Sequence, residues 1–170
     1  MVSPASAGAA ARIDAAWAAL RGVPDPEVPV LSVVELGIVR DVAVDGDAVM
    51  VTVTPTYSGC PAMREIERDI VAALEAHGFA AATVRTTYAP AWTTDWIGEE
   101  AREKLRAYGI APPGPAEGTT FVPLRRRRAV TCPYCGSPRT RLQSEFGSTA
   151  CKAIHVCDAC TQPFEEMKAI

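Results

Sequence analysis

Histidine is almost missing from this chain, with two in 170 residues, and neither belongs to a Glu-x-x-His pair. That absence excludes the di-iron carboxylate centre of a helical bundle, which needs such pairs. No histidine neighbours Cys60, and His77 falls at the far end of the helix expected after it, which argues against a Cys–His hydrolase. No apolar run approaches the ~20 residues of a membrane helix. A Gly-rich nucleotide fingerprint, a four-cysteine ferredoxin loop and internal repeats are also lacking. The opening Met1–Ala10 has neither the basic start nor the apolar block of a secretory signal, so residues 1–10 are expected to be a disordered end. A cytoplasmic location follows as an expectation, and there spaced cysteines bind metal rather than form disulfides.

Basic charge is scarce at the front. Residues 1–124 hold 9 Lys/Arg against 16 Asp/Glu, whereas residues 125–170 hold 8 against 4. An acidic body and a basic tail favour two modules. The 48% of hydrophobic residues suffices for a buried core. Ala11–Leu20 carries Ile13, Trp17 and Leu20 at helical spacing. Gly37–Val44 and Ala48–Thr54 flank Asp45-Gly46-Asp47, a hairpin pattern. A helix over Pro61–His77 follows, with Met63, Ile66, Ile70 and Leu74 as its apolar stripe and Gly78 as its stop. Ala82, Val84, Thr86 and Tyr88 alternate as a third strand. Thr93-Thr94-Asp95 can cap a further helix that Gly109 ends. The expected class is α+β: a small mixed-sheet α/β domain over 11–110, a Pro/Gly- and Arg-rich linker over 111–128, and a β module over 129–170.

The sharpest chemistry lies in that last module. Cys132-Pro-Tyr-Cys135 and Cys157-Asp-Ala-Cys160 are two C-x-x-C pairs with 21 residues between them. Each pair can grip an ion from a tight turn, and together they complete the tetrahedron of structural zinc. Four thiolates also suit rubredoxin-type iron; zinc is the expectation. Cys151 and His155 are rival ligands close to the second pair. The segment between the pairs has few large apolar residues, so metal should supply much of its folding free energy. Phe121–Leu124 can add a strand to either module. The run Arg125–Arg128 invites a nucleic-acid reading, but the chain is net acidic and the run lacks interleaved aromatics, so nucleic acid is not the expected partner.

Cys60 stands apart, after Gly59 and before Pro61 at a predicted helix start. Backbone N–H groups and the helix dipole there should lower its pKa, favouring a thiolate able to take a soft metal or cluster edge. A buried structural cysteine at a turn is the alternative. Asp25 and Glu27 sit between prolines, as caps of the next element or as ligands.

Three stretches resemble a known family. Asp25-Pro-Glu-Val-Pro-Val, Glu35-Leu-Gly-Ile-Val and Thr54-Pro-Thr-Tyr-Ser-Gly-Cys60-Pro-Ala are similar to the small domain of iron–sulfur maturation factors such as SufT. Phe146-Gly-Ser-Thr-Ala-Cys151-Lys-Ala, with Cys157-x-x-Cys160 and Pro163-Phe164, resembles the PaaD branch of that family. The resemblance spans roughly residues 12–170. It implies an accessory protein of the multicomponent phenylacetyl-CoA epoxidase of phenylacetate breakdown, without turnover of its own. The implied task is delivery or insertion of an iron–sulfur cluster into the iron–sulfur reductase of that system. On this resemblance Cys60 matches the functional cysteine, Asp25 and Glu27 belong to the acidic motif, and a transient cluster or iron at Cys60 is implied. A structural subunit of the oxygenase and a rubredoxin-like electron carrier are the alternatives. The oligomeric state, a homodimer included, stays open.

Overall fold

The computed structural model describes residues 4–115 and 129–170. Phe121–Leu124 and Arg125–Arg128 lie outside the described residues. The chain divides into two compact units, Met1–Trp92 and Thr93–Ile170.

In the first unit α1 (Pro4–Arg21) precedes the hairpin of β1 (Val39–Asp45) and β2 (Ala48–Val53). The helix starts before Ala11, where the sequence was expected to be a disordered end. Proline is tolerated in a first helical turn and alanine propagates it. Gly46 turns the hairpin at φ +58. A register shift between Val39 and Asp41 lets Val39 and Val42 both face the core, which strict alternation forbids. α2 (Met63–Ala76) crosses back so that β3 (Ala81–Thr86) pairs parallel to β2, giving the order β1-β2-β3. Ile66, Ile70 and Leu74 of α2 are fully buried, while Met63 is only half-buried. α1 packs on β1, α2 on β3, and the two helices on each other. Leu20, Val51 and Phe79 fill the layer between.

The second unit opens with a single 3-10 turn, Thr94–Trp96, capped by the Thr93 hydroxyl, and then α3 (Glu99–Tyr108). Thr93 was expected to cap α3 itself; instead Gly98 is its N-cap, because Ile97 takes an extended conformation and interrupts the helix. Gly109 ends it in the left-handed region at φ +92. β4 (Ile110–Ala111) follows at once, then β5 (Thr140–Ser144), β6 (Lys152–Cys157) and β7 (Pro163–Met167). The sheet order is β4-β7-β6-β5, with β4 parallel to β7 and the rest antiparallel. The sequence pattern assigned α3 to the first domain and began the linker at Ala111. In the structure α3 belongs to the second unit and Ile110–Ala111 is a strand there, because its backbone pairs with Glu165–Glu166. Each unit thus has its own mixed sheet, the α+β arrangement the sequence implies. Among the described residues no helix is long and apolar enough to cross a membrane.

Candidate functional site

The four paired cysteines converge in the second unit. Their Sγ atoms all lie within 4.8 Å of one another. Cys132 Sγ is 3.7 Å from Cys160 Sγ, and Cys135 Sγ is 3.6 Å from Cys157 Sγ. A tetrahedron with metal–sulfur bonds of ~2.3 Å has sulfurs about 3.8 Å apart, so the donor set fits one ion.

Two turns of the same build hold these sulfurs. In the first, Cys132 N–H bonds Ser137 O and Gly136 N–H bonds Cys132 O. In the second, Cys157 N–H bonds Gln162 O and Thr161 N–H bonds Cys157 O. The residue four after the leading cysteine is left-handed in both, Gly136 at φ +71 and Thr161 at φ +62. Glycine does this freely; threonine, branched at Cβ, does it under strain. Gly136 is legible in the sequence, whereas Thr161 is concealed because nothing about threonine signals that conformation. Ala111, Val130, Cys132, Cys157 and Phe164 form the small apolar core against which Cys160 packs.

The thiols titrate unequally when no cation is bound. Backbone N–H groups, foremost that of Cys160, draw Cys157 down to about 6. At Cys135 the Ser137 N–H acts downward, but burial and the neighbouring sulfurs outweigh it and push the thiol up to about 12. Cys160 is raised in the same way against the lowering Gln162 N–H. Four adjacent thiols cannot all shed their protons unless a cation takes up the charge.

Neither rival ligand joins this quartet. Cys151 is buried with its sulfur 3.1 Å from Thr149 Oγ1. His155 is buried, stacks on Phe164 at 5.6 Å, and sets Nε2 2.8 Å from Glu166 Oε2. Beside it Lys152, also buried, pairs with Glu165 at 3.0 Å, and Glu165 further accepts the Ser148 N–H. Burial pushes the Glu165 carboxyl up, yet Ser148 and Lys152 hold it below the ordinary carboxylate range.

Cys60 occupies a turn of the first unit, ahead of Ala62, the N-cap of α2. Its N–H bonds Tyr57 O and its carbonyl receives Met63 N–H. Asp25 is buried, and its Oδ1 accepts the N–H groups of Glu27 and Val28 at 2.9 and 2.7 Å. That is a local cap, one of the two readings open for a carboxylate between prolines. The Asp25–Leu31 backbone bond folds this loop back on itself. The thiol senses the charges of both Glu27 and Asp25, so the fold sets the loop that carries these two carboxylates near a cysteine far along the chain.

The expected pKa direction is reversed. Burial raises Cys60, and Glu27 and Asp25 raise it further; the lowering contacts with Ala62 N–H and Thr56 are too weak to compensate. The thiol stands before the first turn of the helix, where the dipole has little reach. Thr56 is a contact the sequence did not disclose, since a threonine beyond a strand end carries no signal of its own.

Comparison with known proteins follows the same division. Residues 13–85 match the family described as "Iron-sulfur cluster assembly protein", and residues 116–168 match the "PaaD zinc beta ribbon domain". Over 154 residues the chain is 47% identical to a subunit of the "Putative 1,2-phenylacetyl-CoA epoxidase" of Escherichia coli (strain K12), covering 91% of each. The chain belongs to the PaaD family. The chain is also 39% identical over 88 residues to an "Fe-S protein maturation auxiliary factor" of Porphyromonas gingivalis, covering 51% of itself and 83% of that protein. A crystal structure of "Domain of Unknown Function DUF59 from Bacillus anthracis" superposes with a TM-score of 0.55 at 27% identity, over 59% of this chain and 96% of the other. The ribbon match and the converging sulfurs make the second unit metal-binding.

Proposed function

We propose that this protein is an accessory factor of a phenylacetyl-CoA epoxidase system that assists iron–sulfur cluster assembly or insertion, with the system's reductase as client. The observation that carries the reading is the union in one chain of an iron–sulfur cluster assembly match and a PaaD ribbon match, in that order. The names of the E. coli and P. gingivalis relatives support it from both sides.

In this reading the ribbon holds one zinc through Cys132, Cys135, Cys157 and Cys160, and that ion is structural: all four donors are thiolates, leaving no open position. Cys60 is the working residue. Its thiol is protonated at rest, because burial and the adjacent Glu27 and Asp25 disfavour the anion. An incoming iron or cluster edge offsets the carboxylate charge, takes the sulfur as a soft ligand and displaces the proton. Asp25 holds the acidic loop in shape through two N–H groups. The protein acts in the cytoplasm and turns over no substrate.

Anaerobic reconstitution of wild type beside Cys60→Ala, followed by cluster transfer to the purified reductase, tests this. Wild type should load the reductase and the variant should not, while both keep their zinc. Equal loading by the two proteins returns Cys60 to a structural role. That the E. coli relative is named as part of the epoxidase itself favours a second reading, a structural component of the oxygenase. Co-purification with the oxygenase at fixed stoichiometry, undisturbed by Cys60→Ala, supports that alternative. A red protein with one iron per chain supports an electron carrier instead.

A further inference from the structure

The ribbon match begins at residue 116, yet the second unit begins at Thr93. The intervening part contains α3, ten residues long. Isolated helices shorter than ~12–15 residues are marginal in water, so α3 depends on what it packs against.

Three tethers join the segment 93–111 to the ribbon. The aromatic ring of Tyr134, which lies between Cys132 and Cys135, sits against Gly109. A Cβ at Gly109 would come within 2.7 Å of the Tyr134 hydroxyl and 3.1 Å of its ring. Directly after Gly109, Ile110–Ala111 pairs with β7, and Ala111 enters the core that contains Cys132 and Cys157. At the other end, Thr94 N–H and the Thr93 hydroxyl bond Ile170 O at 3.1 and 2.8 Å, just beyond β7. Arg102 then ties α3 to its own flanks, giving hydrogen bonds to the carbonyls of Thr94, Ile97 and Pro113.

Two of the five residues of that core are themselves cysteines of the quartet. Without a cation the core around the cysteines keeps only Ala111, Val130 and Phe164 as other members. The sheet adds only Ile110, Ala153 and Met167 to its buried apolar residues, and the metal should supply much of what fixes the four strands. β7 and the first cysteine turn are the surfaces on which the tethers of α3 land.

We infer that α3 and β4 are part of the metal-dependent fold, with Tyr134 as the positioning residue that couples occupancy of the four-cysteine site to the end of α3. Metal binding then governs a helix that lies outside the ribbon in sequence. The inference rests on the reading that these cysteines hold a structural ion.

Hydrogen exchange on the full chain, loaded with Zn2+ and again after chelation, tests it, with elemental analysis of both samples. The expected result is joint loss of amide protection in β6, β7 and 99–111 on stripping, while β1–β3 keep theirs. In addition, zinc-loaded Tyr134→Ala should retain one zinc yet lose protection at the C-terminal end of α3. Protection of 99–111 that survives while β6 and β7 lose theirs overturns the inference and leaves the structural ion intact. A chain that binds no zinc, or whose ribbon stays protected without it, overturns both. Unchanged α3 protection in zinc-loaded Tyr134→Ala removes the role given to Tyr134.

Discussion

The two units solve the same problem, fixing a small mixed sheet, with different materials. The first unit buries Leu20, Leu31, Leu36, Ile38, Ile66, Ile70, Leu74 and Phe79 almost completely. At about 1.5–3 kcal/mol for each large apolar side chain, such a layer offsets much of the chain entropy. Among its described residues the second unit buries fewer large apolar side chains, Ile97, Leu105, Ile110, Phe164 and Met167. Its core cluster contains one large apolar side chain, Phe164, beside Val130, Ala111 and two cysteines. One sheet is closed by apolar side chains alone and the other by a smaller apolar set together with four sulfurs. A unit closed by four sulfurs responds to metal and pH; a unit closed by aliphatics responds to volume.

Breaking the sulfur side should have the largest effect. Cys132→Ser or Cys160→Ser is expected to lose the metal and unfold the ribbon while the β1–β3 sheet persists. Structural zinc contributes on the order of 10 kcal/mol at neutral pH, so losing the ion should take the ribbon fold with it. Metal analysis and circular dichroism check this, and full zinc in both variants would falsify it. Acid should do the same to wild type. The bound ion needs every sulfur as thiolate, whereas the metal-free thiols of Cys135 and Cys160 are raised. Binding therefore releases protons, and affinity falls as pH falls.

The aliphatic side breaks through volume. Ile70→Ala removes a fully buried side chain from the α2 stripe and should destabilise the first unit by about 2–5 kcal/mol. Denaturant unfolding should show its transition at lower denaturant, with metal content unchanged. A metal loss that tracks this transition would mean the two units do not fold separately.

Glu165→Gln probes the ion pair that the ribbon uses in place of a wider core. Lys152 keeps only 5% of its side chain exposed and Glu165 keeps 26%. The loss should therefore stay below the ~3–5 kcal/mol of a fully buried pair. The folded Glu165 carboxyl lies below its ordinary range, so its contribution is complete above the unfolded pKa and fades as pH falls through the folded one. The gap in melting temperature between wild type and variant should narrow on acidification. A gap independent of pH would locate the effect in packing instead of charge.

The smallest effect sharpens the comparison. Thr161→Gly relieves a left-handed threonine in the second cysteine turn, at φ +62, and makes that turn like the first. Removing strain of ~1 kcal/mol should raise the stability of the metal-loaded ribbon slightly. Titration with a competing chelator reads this as tighter zinc retention. Equal or weaker retention would show that the branched side chain has a role in the turn beyond its backbone angle.

Much of this was legible from residues alone. Two C-x-x-C pairs single out the four cysteines whose sulfurs the structure brings together, because a tight turn can aim residues at that spacing at one point. The i, i+4, i+8 stripe of Ile66, Ile70 and Leu74 specifies which side of α2 is buried, and Asp45-Gly46-Asp47 specifies the hairpin. These are short-range signals, carried by periodicity and by backbone freedom at single positions. The sequence pattern also drew attention to Asp25, Glu27 and Cys60, but the sign of the thiol's shift was not available from it. Tertiary structure decided that sign, because burial and the field of two carboxylates depend on a loop folding beside a residue far along the chain. It likewise decided to which unit α3 belongs. A helix's apolar stripe says that it packs, while its partner is chosen by long-range contacts, here Tyr134 on Gly109 and β7 beside β4. Local chemistry determined what each piece can do, and only the closing of distant segments determined which pieces act together.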